Sequence, residues 1–284
     1  MQELRGLPVA NAITEKLQKE LEEFKSTPQY QGRVPKLGIV RIGERGDDLA
    51  YERGAKSRME KVGFEYEVFA FAEDIAEDEF LKEFDKINAN PEIDGILLFR
   101  PMPKSIDEKK VIAHMDPKKD LDGITPMNEA RVFEGSKEGY APCTAEAVIA
   151  ILDHAGVDLT GKRAVVVGRS MVIGRPVAMM LMQKNATVTI THTKTVNRSL
   201  ETKRAEVLVA AAGRAKTITA EDVSEGAVVI DVGINVDAEG NLCGDVDFDG
   251  VKDIASMITP VPRGVGSVTT SILAEHLMRA ARLR

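Results

Sequence analysis

The segment with the clearest chemical potential is a glycine loop that follows an apolar run. Residues 164–167 are Ala-Val-Val-Val, and the loop after them, residues 168–174, begins and ends with glycine. Where a glycine loop joins a buried strand to a helix, free backbone N–H groups bind the pyrophosphate of a dinucleotide. The spacing differs from the Gly-x-Gly-x-x-Gly fingerprint, so on this loop alone a plain glycine turn is equally compatible with the sequence.

The charges near this loop favour NADP over NAD. In NAD sites, an acidic residue about 20 positions after the glycine loop binds the ribose hydroxyl groups. Here the next predicted strand ends in His192, Thr193 and Lys194, without an acidic residue. Arg169 and Lys194 are cationic instead, which suits the 2′-phosphate of NADP. The sequence therefore predicts NADP as the cofactor, with NAD as the alternative.

Two further loops carry residue types that can bind a polar or flat ligand. Asp120 and Asp122 lie between two prolines, where they could hold a polar substrate, bind a metal or only cap a helix. Residues 259–266 include two prolines and two glycines, which suits either a rigid loop against a flat ligand or an interdomain linker. The histidines show no metal-ligand spacing, and Cys143 and Cys243 are too few for a zinc cluster. No metal site is predicted.

These loops must be positioned by alternating strands and helices. Apolar residues between positions 10 and 24 recur at helical spacing, and the last stretch, 271–284, has a similar pattern. Predicted strands, most of them separated by helical stretches, are at 37–42, 64–70, 93–99, 164–168, 187–192, 207–212 and 228–232. This order predicts an α/β fold in which helices cover the faces of parallel sheets.

Length and composition restrict the class of protein further. At about 150 residues per domain, 284 residues predict two domains. A formal charge of −7 without a long basic tract argues against a general nucleic-acid binder. No apolar run approaches the ~18 residues that span a bilayer, and the N-terminus lacks the apolar core of a signal peptide. We therefore expect a cytoplasmic protein without a membrane or nucleic-acid partner.

Several motifs together resemble the methylenetetrahydrofolate dehydrogenase/cyclohydrolase family. They occur in the family's order from near residue 5 to the C-terminus, and several at once make a chance match unlikely. The matching segments are 51–63, Lys119-Asp120-Leu121-Asp122-Gly123, Pro142-Cys143-Thr144, Val165-Val166-Val167-Gly168-Arg169-Ser170, 231–235, Gly244-Asp245-Val246, 259–262 and 264–266.

The resemblance implies two α/β domains. A folate-binding catalytic domain is expected over residues 1–140, completed by 270–284, and a Rossmann-like NAD(P)-binding domain over 141–269. The resemblance also implies tetrahydrofolate derivatives as substrates and a homodimer formed through the cofactor domains.

The resemblance also assigns roles to individual residues. Tyr51 is expected to stack on the folate and Asp122 to hydrogen-bond its pterin ring, and these two are the expected catalytic residues. Pro262 and Gly264 are expected where the two ligands meet. The residues expected to line the cofactor site are Thr144, Gly168, Arg169, Ser170, Ile173, Gly174, Thr193, Ile234 and Thr269.

Two departures from the family pattern concern cyclohydrolase chemistry. Bifunctional members carry a lysine four residues after the tyrosine, where this chain has Ala55, and a glutamine where it has Phe99. Lys56 lies roughly 140° around a helix from Tyr51, so it is expected to point elsewhere. Arg100 is permanently charged and therefore a poor general base.

The predicted function is hydride transfer from 5,10-methylenetetrahydrofolate to NADP, giving 5,10-methenyltetrahydrofolate, with cyclohydrolase activity absent or very weak. One alternative is a bifunctional enzyme in which Lys56 or Arg100 compensates. Another is a folate- or nucleotide-binding protein without turnover. A different α/β dehydrogenase, acting on a small hydroxy acid, would explain the cofactor loop but not the folate-side matches.

Overall fold

The computed structural model describes residues 1–30, 32–237 and 239–283. The chain divides into two compact units. Unit 1 comprises Met1–Asn11, Val132–Gly135 and Thr144–Thr269, and unit 2 comprises Ala12–Arg131, Ser136–Cys143 and Thr270–Arg284. None of the described helices combines the length and the apolar character that crossing a membrane requires.

Strands and helices alternate along most of the chain. The strands are β1 (Gln2–Glu3), β2 (Lys36–Ile42), β3 (Glu65–Phe71), β4 (Gly95–Leu98), β5 (Arg163–Val167), β6 (Thr187–Thr191), β7 (Val207–Ala210), β8 (Val228–Asp231), β9 (Asn235–Val236), β10 (Leu242–Cys243) and β11 (Met257–Ile258). The α-helices are α1 (Gly6–Ser26), α2 (Gly46–Val62), α3 (Glu77–Ala89), α4 (Glu108–His114), α5 (Pro126–Glu134), α6 (Cys143–His154), α7 (Gly174–Gln183), α8 (Arg198–Thr202), α9 (Phe248–Val251) and α10 (Thr269–Arg282).

The main sheet of unit 1 has six parallel strands in the order β1-β11-β8-β7-β5-β6. β5 lies between β6 and β7, so the direction in which successive strands are added reverses at β5. In open α/β sheets, ligands bind beyond the carboxyl ends of the strands at such a reversal. The loops after β5, β7 and β8 therefore lie at the edge of the sheet where a ligand is expected.

The core of unit 1 explains why the strands are continuous apolar runs in the sequence. Parallel strands with both faces covered bury successive side chains, so the sequence shows no polar alternation. Val165, Val167, Leu208, Val229 and Ile258 belong to one buried cluster that joins four of the strands.

Unit 2 contains a sheet of three parallel strands in the order β3-β2-β4. Ile39 and Val40 of the central strand β2 are fully buried. α3 contributes Phe80, Phe84 and Ile87, which lie three or four residues apart and so share one face of the helix. This core supports the carboxyl end of β4 and the loop that follows it.

The predicted fold class is confirmed: the chain is α/β, has two units, and contains a Rossmann-like parallel sheet. The C-terminal helix α10 belongs to unit 2 from Thr270 onward. The sequence patterns missed the antiparallel β9–β10 pair because each of its strands has only two residues. Strands that short carry no usable periodicity.

Three segments differ from the expected division of the chain, and the last of them, residues 141–143, lies in unit 2 instead of unit 1. Residues 1–140 were expected to form one domain with 270–284, whereas Met1–Asn11 and Val132–Gly135 lie in unit 1. The first does so because β1 pairs in parallel with β11. The second is held by the Gln183 side-chain amide, which donates to the carbonyl of Val132 at 2.6 Å.

Candidate functional site

The glycine loop of unit 1 begins at Gly168, directly after β5. Its φ of +138° is unfavourable for residues with a side chain. A Cβ at this position would also lie far inside van der Waals contact with the carbonyl oxygen of Ala211, in the loop after β7. The Gly168 N–H donates to the carbonyl of Thr191, at 2.8 Å. Gly168 is therefore required both by its backbone conformation and by its neighbours on two adjacent strands.

Ser170 organises the turn from this loop into α7. Its Oγ accepts hydrogen bonds from the N–H groups of Ile173 (3.2 Å) and Gly174 (3.4 Å). Among the described residues, no acceptor binds the N–H groups of residues 169–172. Unbonded donors at the positive end of a helix dipole are the arrangement that binds a phosphate group. The loop therefore fits the pyrophosphate of a dinucleotide.

Exposed cations surround the loop. Arg169 and Lys194 are both exposed, as is Thr193, which follows the end of β6. Arg175, in the first turn of α7, donates from Nε to the carbonyl of Arg169 at 3.1 Å. The sequence analysis does not identify Arg175 as a site residue, although it directly follows Gly174, the last residue of the glycine loop. The loop thus carries several positive charges suited to a phosphorylated ligand.

A cavity of about 230 Å³ lies between two loops of unit 1. Residues 231–234 and 260–267 form most of its lining, including Ile234, Pro262 and Gly264. Ile234 is 69% exposed and therefore offers an apolar side chain to a ligand at this cavity. The cavity therefore offers an apolar surface with backbone polar groups around it, which suits a flat ring.

Thr144 and Thr269, two of the three threonines expected at the cofactor site, have different environments. Thr144 lies in the first turn of α6 and is half-buried. Thr269 is 5% exposed, and its hydroxyl donates to the carbonyl of Gly266 at 3.3 Å. The Thr269 side chain thus braces the loop that lines the cavity.

Two buried carboxylates of unit 1, Asp231 and Asp245, were not identified from the sequence as site residues. Asp231 is 3% exposed and Asp245 is not exposed at all. Burial raises the pKa of Asp231 to about 6; three backbone N–H groups oppose this shift, and the Asp245 carboxylate adds to it. The available signal was an aspartate at the end of an apolar run, but nothing in the local sequence distinguishes a buried from an exposed aspartate.

In unit 2, the candidate folate residue Tyr51 lies in α2 and is half-buried. The ring of Phe99 meets it edge to face, with ring centres 5.9 Å apart. One helical turn after Tyr51, Ala55 is fully buried. The positions at which the resemblance leads one to expect a lysine and a glutamine thus hold a methyl group and an aromatic ring.

The two cations that could compensate are bound to carboxylates. Lys56 Nζ lies 3.5 Å from Glu52 Oε1 and 5.6 Å from the centre of the Tyr66 ring. Arg100 donates from Nε to Glu108 Oε1 at 2.7 Å. Lys56 and Arg100 are therefore each already paired with a carboxylate of unit 2.

Asp120 and Asp122 have different environments. The carboxylate of Asp120 accepts from the N–H groups of Ile124 (3.0 Å) and Thr125 (2.8 Å), so Asp120 shapes the loop that leads into α5. Asp122 Oδ1 accepts from the N–H of Cys143 at 2.9 Å. Among the described residues, the hydrogen bonds to the Asp122 carboxylate all come from Cys143, through its N–H and its thiol. Asp122 is therefore the carboxylate that can bind a ligand.

The segment before Asp122 is held by the C-terminal helix. Nδ1 of His276 lies 2.7 Å from the carbonyl oxygen of Leu121, so Nδ1 must carry the proton of this hydrogen bond. Burial raises the pKa of the Asp122 carboxyl, whereas hydrogen bonding to Cys143 lowers it. The described residues include no group of His, Cys, Asp and Glu that could hold a metal ion.

Two family models match the chain, and together they cover most of it. The model described as "Tetrahydrofolate dehydrogenase/cyclohydrolase, catalytic domain" matches residues 4–122. The model described as "Tetrahydrofolate dehydrogenase/cyclohydrolase, NAD(P)-binding domain" matches residues 142–284.

Known proteins are similar to the chain along its whole length. The "Bifunctional protein FolD" of Alkaliphilus oremlandii is 52% identical over 281 residues, which are 99% of this chain and 97% of that protein. The crystal structure of the bifunctional FolD methylenetetrahydrofolate dehydrogenase/cyclohydrolase from Campylobacter jejuni is 34% identical, with a TM-score of 0.95 and coverage of 100% and 99% of the two chains. The FolD enzyme of Trypanosoma brucei, complexed with NADP and an inhibitor, is 32% identical, with a TM-score of 0.91 and coverage of 98% and 97%.

We expect Asp231→Asn to change how stability depends on pH. Because the native pKa of about 6 lies above the ordinary value of 3.8, native Asp231 keeps a proton that the unfolded chain has lost between these values. Its contribution to the free energy of unfolding is full below the ordinary value and is lost as the pH rises to about 6, by up to about 3 kcal/mol. Urea unfolding of both proteins across this range measures the effect; a pH-independent difference between them would contradict it.

Proposed function

The chain belongs to the tetrahydrofolate dehydrogenase/cyclohydrolase family, and on that premise we propose that it oxidises 5,10-methylenetetrahydrofolate to 5,10-methenyltetrahydrofolate with NADP. The observation that carries the proposal is the unbonded N–H groups of residues 169–172 at the start of α7, in a chain whose other unit presents Tyr51 and Asp122. A binding protein without turnover would not account for the family match over both units.

The reaction depends on orientation more than on acid–base catalysis. When a hydride leaves the one-carbon bridge, the positive charge spreads over both flanking nitrogen atoms, so the product stabilises itself. When bound, NADP supplies the hydride acceptor. The protein must hold the folate substrate and NADP in one reactive geometry and exclude other geometries. This positioning alone contributes much of the rate enhancement.

In the proposal, the cofactor is held by unit 1. Gly168, Ser170, Ile173 and Gly174 form the turn that receives the pyrophosphate, and Arg169 provides charge for the 2′-phosphate. The remaining residues proposed to line this site are Thr144, Thr193, Ile234 and Thr269. The NADP complex of the Trypanosoma brucei enzyme supports the choice of NADP over NAD.

The folate is proposed to bind through Tyr51 and Asp122. The half-buried Tyr51 ring offers a stacking surface, and Phe99 packs against it with the two rings nearly perpendicular. Asp122 Oδ2 is proposed to accept from the N–H donors of the pterin ring. Pro262 and Gly264 are proposed to contact the substrate from the cavity that they line.

The names of the relatives favour a second activity, the hydrolysis of the methenyl bridge. They are called bifunctional, and this does not support the expectation from the sequence that cyclohydrolase activity is absent or very weak. A bifunctional enzyme is therefore the candidate that the comparisons favour.

One observation favours a dehydrogenase without this second activity. Hydrolysis must activate water and transfer protons, which requires a suitable acid–base group. Ala55 carries none, and Phe99 is an apolar ring against Tyr51. Lys56 and Arg100 are paired with Glu52 and Glu108, so neither is an obvious replacement.

We also propose a homodimer formed through unit 1. β6 is an edge strand of the six-stranded sheet, and it offers unpaired backbone groups to a second copy. Large apolar side chains near it are exposed: Ile190 (36%), Val196 (82%) and Leu200 (60%). Such side chains beside an open sheet edge are typical of a surface that is covered in an assembly.

A paired assay separates the two candidate functions. We expect the unmodified protein to reduce NADP in the presence of 5,10-methylenetetrahydrofolate. In the same samples, the decay of methenyltetrahydrofolate is followed with and without enzyme. Decay accelerated by the enzyme supports the bifunctional candidate, and decay at the spontaneous rate supports the dehydrogenase alone. In the latter case, the double variant Ala55→Lys, Phe99→Gln should accelerate hydrolysis, by up to ~10²-fold.

Arg169→Ala should weaken NADP binding more than NAD binding. Loss of a charge-assisted hydrogen bond to the 2′-phosphate costs roughly 1–3 kcal/mol, and NAD lacks that phosphate. Calorimetric titration with both cofactors measures the difference. Arg163→Ala, at the opposite end of β5, removes an exposed arginine of unit 1 as the matched control and should change neither affinity. Equal losses for NADP and NAD in the Arg169 variant would contradict the assignment.

Asp122→Ala should abolish measurable folate binding and leave NADP binding intact. The variant removes a carboxylate whose charge-assisted bonds to pterin N–H groups contribute about 1.5–3 kcal/mol each. Fluorescence titration of the same sample with the folate substrate and with NADP gives both affinities. Unchanged folate affinity would mean that Asp122 only shapes its loop, as Asp120 does.

A further inference from the structure

We propose that Asp245, supported by Asp231, is a positioning residue of the cofactor site: its carboxylate joins the loops after β7 and β8 into one preformed surface. This inference rests on the proposed binding of NADP by unit 1. Asp245 has no exposed surface, so it acts through the loops that it holds and not by contact with a ligand.

The first loop held by Asp245 follows β7. Oδ2 of Asp245 accepts from the N–H groups of Ala212 (2.5 Å) and Gly213 (2.9 Å), and Oδ1 accepts from that of Arg214 (3.0 Å). Three consecutive backbone donors thus converge on one carboxylate. This is the loop whose Ala211 carbonyl lies against Gly168, so its position also bounds the phosphate-binding turn.

The second loop held by Asp245 follows β8. The side-chain amide of Asn235 donates to Oδ1 at 2.9 Å. A Cβ on Gly233 would collide with this same carboxylate, so the backbone of the loop packs directly on it. Ile234, between these two residues, is the exposed apolar side chain that lines the 230 Å³ cavity. Asp245 therefore contacts the residues on both sides of Ile234.

Asp231 holds Asp245 in place from the end of β8. Its Oδ1 accepts from the N–H groups of Asp245 (3.0 Å) and Gly233 (2.9 Å), and its Oδ2 from that of Val246 (2.9 Å). Gly244 can lie close to the Asp231 carboxylate because it has no side chain. A Cβ at this position would overlap Asp231 Oδ2. The two carboxylates thus connect the end of β8 to the loops. Almost all of the groups that donate to them are backbone N–H groups.

The chemistry of this cluster requires carboxylates. Each oxygen of Asp245 accepts two hydrogen bonds, and the four donors come from two different loops. An asparagine of the same shape has one accepting oxygen, and its NH₂ group would face N–H donors. No lysine or arginine of the described chain forms an ion pair with either carboxylate, so N–H dipoles alone balance two buried charges. A role in holding loops accounts for this arrangement, because the four donors to Asp245 come from two separate segments of the chain.

The test is Asp245→Asn, with Asp222→Asn as the matched control. Asp222 is also a buried carboxylate of unit 1, but its partners are Arg198, Ser199 and Thr219 and not the two loops. Each variant is compared with the unmodified protein in NADP affinity by calorimetry, in KM for each substrate, and in thermal unfolding.

We expect Asp245→Asn to weaken NADP binding and raise KM for NADP roughly tenfold or more, with KM for the folate substrate unchanged. Asp222→Asn should lower the unfolding temperature without changing either constant. If Asp245→Asn does not fold, Asn235→Ala removes one of the four bonds and should still raise KM for NADP selectively. Unchanged NADP constants in the folded variants, or equal losses in the control, would overturn the inference. If the unmodified protein does not bind NADP, that result contradicts the proposed function, on which this inference rests.

Discussion

The close approach of Gly168 to the carbonyl oxygen of Ala211 constrains the whole carboxyl edge of the sheet in unit 1. Any side chain at this position would push β5 away from β7, and the Gly168 N–H would lose its acceptor on β6. The start of α7 depends on the same turn, because a Cβ at Gly174 would overlap the carbonyl oxygen of Gly168. Three strands, one helix and a set of unbonded N–H groups are thus tied to one residue without a side chain.

Around this constraint, the loops are organised by buried carboxylates more than by apolar contacts. Asp231 and Asp245 in unit 1 and Asp120 in unit 2 each accept from several backbone N–H groups. A carboxylate can gather donors from segments that are distant in sequence, and in a dry environment such bonds resist rearrangement. The result is a set of irregular loops with little freedom, which is what a reaction governed by orientation requires.

The α/β class and the glycine loop could be identified because periodicity and residue type carry these signals locally, whereas Ala55 and Phe99 stood out only against the pattern of the family that the sequence resembles. The sequence did not allow residues 1–11 to be placed, since the polar pair Gln2–Glu3 enters a sheet only through its partner β11. Residue type and spacing alone did not separate Asp120 from Asp122, which only the resemblance singled out, because the donors to each carboxylate depend on the folded loop. Residue type did not decide whether the methenyl bridge is hydrolysed either. Ala55 and Phe99 predict the loss of this activity, whereas the relatives are named bifunctional.

The pairing of β1 with β11 has a consequence for synthesis of the chain on the ribosome. Gln2 is synthesised before every other strand of the six-stranded sheet, and its partner Met257 is synthesised after strands β5 to β8. Until then β11 does not exist, and the edge of β8 that it will cover stays open to other strands. Contacts between such distant residues form late and slow folding. The nascent protein must therefore pass through a stage in which the six-stranded sheet is incomplete on one side, until β11 pairs with β8 and β1 pairs with β11.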